Sequence, residues 1–398
     1  MTPAARVAAA IDLLDAVFNG QAAEQALTAW ARKSRFAGSK DRAAVRDHVF
    51  QALRCKSTYA ARGGAETGRG VMLGGLRAEG IDPEMIFTGE GHAPEELTDE
   101  ERRAGGAPQS RADRWNLPEW LCARFEAALG DQAEAAALAL AERAPVTLRV
   151  NSAKTSREAA RLGLIDEGIV SEANPVADTA LTVSEGARKV AQSSAYRAGL
   201  VELQDASSQA AMAELPLTEG MRVLDFCAGG GGKALALAAR APDSVNLFAH
   251  DAAPQRMRDL PDRAARAGVR IETVHREALR HAGPFDLVLC DVPCSGSGTW
   301  RRTPEAKWRF TPDRLAELQA VQMQILKDAA SHVADGGVLA YSTCSVLTEE
   351  NADRIAAFQE ACPEWAVQTA RVWPITAGND GFFLCLLKKS DDRHNLDV

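Results

Sequence analysis

The feature that most constrains this 398-residue chain is an alternation that fills its second half. Strand-like runs RVLDF (222–226), NLFAHD (246–251), VRIETV (269–274), FDLVLCD (285–291), GVLAYST (337–343) and FFLCLLK (382–388) are separated by stretches of helical character. Such alternation predicts βαβ units and a mainly parallel, doubly wound α/β sheet of Rossmann-like type. Sheets of this kind bind ligands beyond the carboxyl ends of their strands. The functional question is therefore what stands at those ends.

Upstream the pattern is different. Ala10, Leu13, Leu14, Val17 and Phe18 recur at helical spacing, and so do Leu27, Trp30 and Ala31, then Val45, Val49, Phe50 and Leu53. Residues 63–112 are glycine-rich and then acidic, and 88–112 reads as a connector. Two further helical segments, LPEWLCARFEAALG and AEAAALALAER, precede the strand VTLRVN (146–151), a helix over 156–167 and a strand near 180–183. The expected organisation is multidomain: an all-α domain over 1–112, a small α+β connecting subdomain over 113–200, the α/β domain over 201–390 and a polar tail over 391–398.

Composition narrows the classes. A net charge of −8 gives no global case for nucleic-acid binding, so any basic surface must be local. One such region exists: residues 1–62 hold ten Lys/Arg against five acids. None of the eight cysteines sits in a C-x-x-C pair, which argues against a bound metal. No apolar run approaches the ~20 residues of a membrane span, and a reducing cytoplasm with free thiols is expected. Nothing demands more than a monomer.

After the first strand of the α/β domain comes Cys227-Ala228-Gly229-Gly230-Gly231-Gly232-Lys233. A phosphate-binding P-loop needs Gly at 227 and Ser/Thr at 234, where Cys and Ala stand. A dinucleotide G-x-G-x-x-G starting at Gly229 fails at Ala234. The second strand ends at Asp251, placed to accept from both ribose hydroxyls, and the third leads to Glu277, placed to meet an adenine edge. This ordered set suits an adenosine without phosphates, the shape of S-adenosylmethionine. The fourth strand ends in Asp291-Val-Pro-Cys294 and the fifth in Ser-Thr-Cys344-Ser, so two cysteines face one cleft. A buried cysteine is ordinarily inert packing, and Cys227, Cys290 and Cys385 read that way. Cys294 and Cys344 stand at the ligand-binding edge instead.

These segments, VLDFCAGGGGK, AHDAAPQRM, LVLCDVPCSGSGTW with KW after it, and YSTCSVLTEEN, resemble the Sun (Fmu, RsmB-type) family of ribosomal RNA cytosine-5 methyltransferases. APVTLRVNS, QDASSQ and GFFLCLLKK are similar to the same family. RFAGSKDRAAVRDHVFQALR resembles the NusB-like RNA-binding domain of its RsmB branch. Two departures stand out: Gly229-Gly230 replace the usual Ala-Pro of the loop, and Glu277 replaces an Asp.

The resemblance implies S-adenosylmethionine as cofactor, held by residues 227–233, Asp251, Arg256, Glu277 and Asp291. It implies transfer to carbon 5 of a cytosine in ribosomal RNA, in the 16S small-subunit molecule. Cys344 is then the nucleophile that adds to carbon 6, Asp291 holds the N3/N4 edge, Cys294 assists the final elimination, and Lys233 positions the carboxylate or the base. A nearby cation or helix N-terminus should lower the Cys344 pKa. Arg301, Arg302 and Lys307, and in the N-terminal domain Arg32, Arg35, Lys40 and Arg42, are the expected phosphate contacts. Trp300 and Trp308 are candidates for base stacking or for core. Methylation of DNA or of a small molecule, and a non-catalytic RNA-assembly role, are the alternatives; the extra Thr-Cys motif disfavours DNA, and the intact cysteines and Asp291 disfavour a mere scaffold.

Overall fold

The computed structural model describes residues 1–241 and 243–389; the expected tail lies outside the described residues. The chain forms two compact units. The first is Met1–Arg143 together with Trp300–Phe310, and the second is Ala144–Thr299 with the chain from Thr311 onward. By packing, the first unit extends past residue 112 to Arg143. The helices Glu119–Leu129 and Ala133–Ala141 belong to the first unit, because Leu121, Phe125 and Leu140 are fully buried in it. Trp300 stacks on Phe125, with ring centroids 6.1 Å apart, which carries segment 300–310 into the same unit.

Five helices open the first unit: Pro3–Phe18, Ala23–Lys33, Ser39–Arg54, Lys56–Gly63 and Gly68–Ala78. Thr2 and Thr67 cap two of them by accepting from Ala5 and Gly70 amides. Val7, Leu14, Val45, Val49 and Leu53 form the core where the first and third helices meet. The fourth and fifth helices approach so closely that a Cβ at Gly74 would lie 1.8 Å from the Tyr59 carbonyl oxygen. The stretch expected as a connector holds two short capped helices, Asp99–Arg103 and Arg111–Trp115.

The second unit contains two sheets. β1 (Val146–Val150), β2 (Val170–Ala173), β3 (Ala180–Glu185) and β4 (Val201–Leu203) form an antiparallel sheet in the order β2-β3-β1-β4. β5 (Arg222–Asp225), β6 (Asn246–Ala249), β7 (Glu272–Thr273), β8 (Phe285–Asp291), β9 (Val333–Thr343), β10 (Trp365–Trp373) and β11 (Phe382–Lys389) form the large sheet, ordered β10-β11-β9-β8-β5-β6-β7. β5 to β9 run parallel, whereas β11 is antiparallel to both of its neighbours. β8 and β9 are apolar along most of their length, as strands covered on both faces are. The strand order reverses between β5 and β8, which makes their carboxyl ends a topological switch point. Register places Asp225 beside Leu289, and Asp291 beside Ser342, so the ends of β5, β8 and β9 lie together.

Candidate active site

The loop after β5 turns through Gly229 (φ +51°) and Gly231 (φ +79°), a region that L side chains rarely adopt. At Gly231 the space is also closed: a Cβ would lie 2.2 Å from a Leu260 methyl. The loop is pinned from several sides. Asp251, 3% exposed, accepts from the Gly229 amide at 2.8 Å and from Arg256 Nη1 at 2.9 Å through one oxygen, and from the Ala253 amide through the other. Arg149 on β1 donates to Gln204 Oε1 and to the Gly232 carbonyl, joining the small sheet to the loop. Arg256 is therefore beside Asp251, as expected. Glu277 lies exposed in the first turn of the helix Arg276–Ala282, since β7 is only two residues long.

Asp225, which the sequence reading did not single out, is the acid at the end of β5. It is 2% exposed, and neither of its oxygens makes a well-formed hydrogen bond, although the Ala234 and Cys227 amides are near enough to favour its charge. Burial, reinforced by the Asp291 carboxylate and opposed by Lys233, pushes its pKa up to about 7. An orphaned carboxylate of this kind, beside a glycine loop that admits backbone-close approach, fits the ammonium and nucleoside of S-adenosylmethionine. Cys227 stays a thiol, its pKa raised by burial and by Asp225.

At the ends of β8 and β9 the expected residues converge. Lys233 Nζ donates to one Asp291 oxygen at 2.5 Å, and Ser342 Oγ donates to the other at 3.2 Å. Burial alone would lower the Lys233 pKa, but the Asp291 carboxylate more than offsets it and keeps the ammonium protonated. Cys294 and Cys344 stand with their sulfurs 3.4 Å apart. The hydrogen bond from Cys294 lowers the Cys344 pKa, with help from Lys233 and Thr299 against burial and the Asp291 charge. The same bond, then burial and the Glu350 charge, raise the Cys294 pKa well above that of an ordinary thiol. Cys344 thus ionises first, and Cys294 remains the S–H donor. By contrast Cys290 and Cys385 are buried in the core of the sheet, and burial pushes Cys385 up to about 12.

The two cysteine loops are tied together by contacts that the motifs alone do not announce. Gly298 donates its amide to the Cys344 carbonyl at 2.9 Å, and a Cβ there would lie 2.8 Å from that same oxygen. Ser297 Oγ lies 2.9 Å from Ser345 Oγ. Glu350 is fully buried and accepts from the Ser295 amide and hydroxyl, from Ser345 Oγ and from Gln322 Nε2. Thr348–Glu350 is a single 3-10 turn, which turns Glu350 inward before the helix Ala352–Ala361.

The expected phosphate contacts separate into two groups. Arg32, Arg35, Lys40 and Arg42 are exposed, as are Phe36, at 75%, and Arg302. Arg301 and Lys307, each 1% exposed, are buried in the first unit and do not reach solvent phosphates; this corrects the expectation. Lys307 Nζ donates to the Arg54 carbonyl and Trp308 Nε1 to that of Leu53, so both serve carbonyls that the third helix leaves open at its C-terminus. Trp300 is core.

Comparison with known proteins agrees with this geometry. The family model described as 16S rRNA methyltransferase RsmB/F matches residues 212–388, and the model of the RsmF/B-like ferredoxin-like domain matches 117–190. Ribosomal RNA small subunit methyltransferase B of Citrobacter koseri is 34% identical over 291 residues, covering 69% of this chain and 67% of its own. The protein of that name from Xanthomonas campestris is 33% identical over 299 residues, covering 70% and 68%. A methyltransferase homolog protein from Pyrococcus horikoshii superposes with a TM-score of 0.60 at 25% identity, over 70% of this chain and 97% of its own. NSun6 from the same organism, solved with SFG, has a similar fold, with a TM-score of 0.61 at 17% identity over 69% and 99%. The chain therefore belongs to the RsmB/F family of 16S rRNA methyltransferases.

Proposed function

We propose that this protein methylates carbon 5 of a cytosine in small-subunit ribosomal RNA through a covalent Cys344–cytosine adduct. The observation that carries the reading is the 3.4 Å pair of Cys294 and Cys344 beside the Lys233–Asp291 ion pair, at the switch point of the sheet. Carbon 5 of cytosine is a poor nucleophile. Addition of the Cys344 thiolate to carbon 6 breaks the C5=C6 double bond and makes carbon 5 electron-rich. Asp291 holds the N3/N4 edge, and Lys233 keeps Asp291 oriented. S-adenosylmethionine, when bound, supplies the electrophilic methyl group. Loss of the C5 proton, assisted by Cys294, then re-forms C5=C6 and expels the Cys344 thiolate. Gly229–Gly232, Asp251, Arg256, Glu277 and Asp225 are the residues that would hold the cofactor. The SFG-bound NSun6 from Pyrococcus horikoshii supports a cofactor in this fold.

In the first unit, which we read as a NusB-like RNA-binding domain, Arg32, Arg35, Lys40 and Arg42 contact phosphates, with Phe36 available to stack on an unpaired base. The target base leaves its stack at a cost of a few kcal/mol. The two cysteines provide the test. Cys344→Ala should abolish methyl transfer and form no adduct. Cys294→Ala should accumulate protein covalently joined to RNA, seen as a retarded band on a denaturing gel that RNase removes. Activity retained in both variants, with no adduct in either, would refute the covalent route.

A further inference from the structure

The third helix of the first unit, Ser39–Arg54, carries Arg42, Arg46, Phe50 and Arg54 at intervals of four residues. Side chains four apart lie one above another, so these form one stripe ~18 Å long at 1.5 Å rise per residue. Arg46 lies over the Phe50 ring, 4.9 Å from its centroid, and pairs with Glu24 through both terminal nitrogens, with both side chains about half exposed. Towards Arg54 the stripe enters a cavity of about 550 Å³, whose wall also includes His48, Arg143 and Arg302. Arg54 is 8% exposed, and its guanidinium donates only to neutral acceptors in the bonds described: the Arg301 carbonyl at 2.8 Å and Gln51 Oε1 at 3.4 Å. A buried cation bonded to neutral groups keeps most of its desolvation cost, which an anion in contact with it would offset. Asp47 and Glu79 are the acids on the same wall. Asp47 meets Arg143 at 3.5 Å with both side chains half exposed or more, a pair too solvated to neutralise the site.

We infer that this cavity is a phosphate site, and that its occupant is a phosphodiester of the RNA substrate, led in along Arg42 and Arg46. The assignment rests on the reading of the chain as an RNA methyltransferase. Arginine suits the role because its planar fork donates two parallel hydrogen bonds to phosphate oxygens.

Because Arg54 also holds the backbone of Arg301, the exposed rim is the place to test. Binding of the full-length protein to a 16S rRNA fragment is measured from 50 to 500 mM salt for wild type, Arg143→Ala/Arg302→Ala and Arg143→Lys/Arg302→Lys. S-adenosylmethionine affinity serves as the control for folding. Each lost phosphate contact removes about 0.7 from the slope of log affinity against log salt for single-stranded RNA. The alanine pair should lower the slope by about 1.4, leave cofactor affinity intact, and be rescued by the lysine pair. A steep wild-type slope that survives both substitutions overturns the cavity while leaving the RNA methyltransferase reading standing. If the alanine pair instead loses only stabilisation by millimolar inorganic phosphate, with its RNA slope unchanged, the site is for a free anion and the inference fails. If wild type neither binds nor methylates rRNA, the functional reading falls and takes this site with it.

Discussion

Lys307 offers a direct test of how segment 300–310 is built into the first unit. Its ammonium is buried, donates to the Arg54 carbonyl at 2.8 Å and lies 4.9 Å from the centre of the Trp308 ring. Burial lowers its pKa from 10.5 to about 7. At 1.36 kcal/mol for each tenfold change in proton affinity, that fall corresponds to about 5 kcal/mol of charging cost. In the unfolded chain the lysine titrates near its ordinary value. Between pH 7 and about 10 the unfolded state therefore binds one more proton than the folded state, and stability rises with pH across that window. Below pH 7 both states are charged and the full cost is present. Lys307→Met keeps the length of the side chain without the charge. It gives up one hydrogen bond and one cation–π contact, together about 2 kcal/mol. The net expectation at pH 7 is a gain of about 3 kcal/mol, the difference of the two, and loss of the one-proton rise in stability above pH 7. Urea unfolding of wild type and variant at half-unit steps from pH 6.5 to 9.5 measures both quantities. A variant less stable than wild type at pH 7, or wild-type stability that is flat from pH 7 to 9, would refute the argument. RNA affinity and its salt slope should be unchanged, since Lys307 does not reach the surface.

Other perturbations address the catalytic unit. Asp225→Asn should stabilise the free protein near pH 7 and above by up to a few kcal/mol, because the wild-type carboxyl, with its pKa near 7, is costly to ionise in the fold and free to ionise in the unfolded chain. The same substitution should weaken S-adenosylmethionine binding at least tenfold by calorimetry; unchanged affinity would remove Asp225 from the cofactor site. Alkylation of Cys344 by iodoacetamide, followed by peptide mass spectrometry, should show a midpoint below the ordinary thiol value that moves upward in Cys294→Ala. A midpoint unaffected by that substitution would mean that Cys294 is not its hydrogen-bond donor. Glu350→Ala should cost 3 kcal/mol or more in stability by leaving the Ser295 amide and Gln322 without their acceptor. It should also lower the rate of adduct formation in a Cys294→Ala background; a normal adduct rate would make Glu350 a purely structural residue.

Much of the large sheet was legible because its central strands are buried on both faces and so read as apolar runs. FDLVLCD matches β8 residue for residue. β10 escaped notice because it is an edge strand: Trp365 alone is buried, Val367 and Val372 face solvent, and no alternation marks it. VRIETV promised a longer strand than the two residues of β7, since an edge position leaves most of its backbone without a ladder partner. RRTPEAKWRF was misread for a related reason. Basic residues after a catalytic motif look like a phosphate grip, and nothing in local sequence reveals that Lys307 and Trp308 instead serve the open carbonyls of a helix some 250 residues upstream. The placement of Asp291, Cys294 and Cys344 at strand ends was legible because each follows an apolar run. Glu350 and Asp225 were not, because a buried acid gains its meaning from partners that only the fold assembles.

The two cysteines carry the same side chain, yet their pKa values move in opposite directions, and the difference follows from what surrounds each sulfur. Cys344 follows β9, next to β8, and lies near Lys233, whose ammonium is itself fixed by Asp291. Cys294 lies in the loop after β8, whose next residue gives its amide and hydroxyl to Glu350. The hydrogen bond between the two sulfurs, 3.4 Å apart, is the largest cause at both: it lowers the Cys344 pKa and raises that of Cys294, and the Glu350 charge adds to the rise. On the covalent route proposed above, Cys344 is thus the sulfur predisposed to attack, and Cys294 must give up its own proton before it can take one from carbon 5.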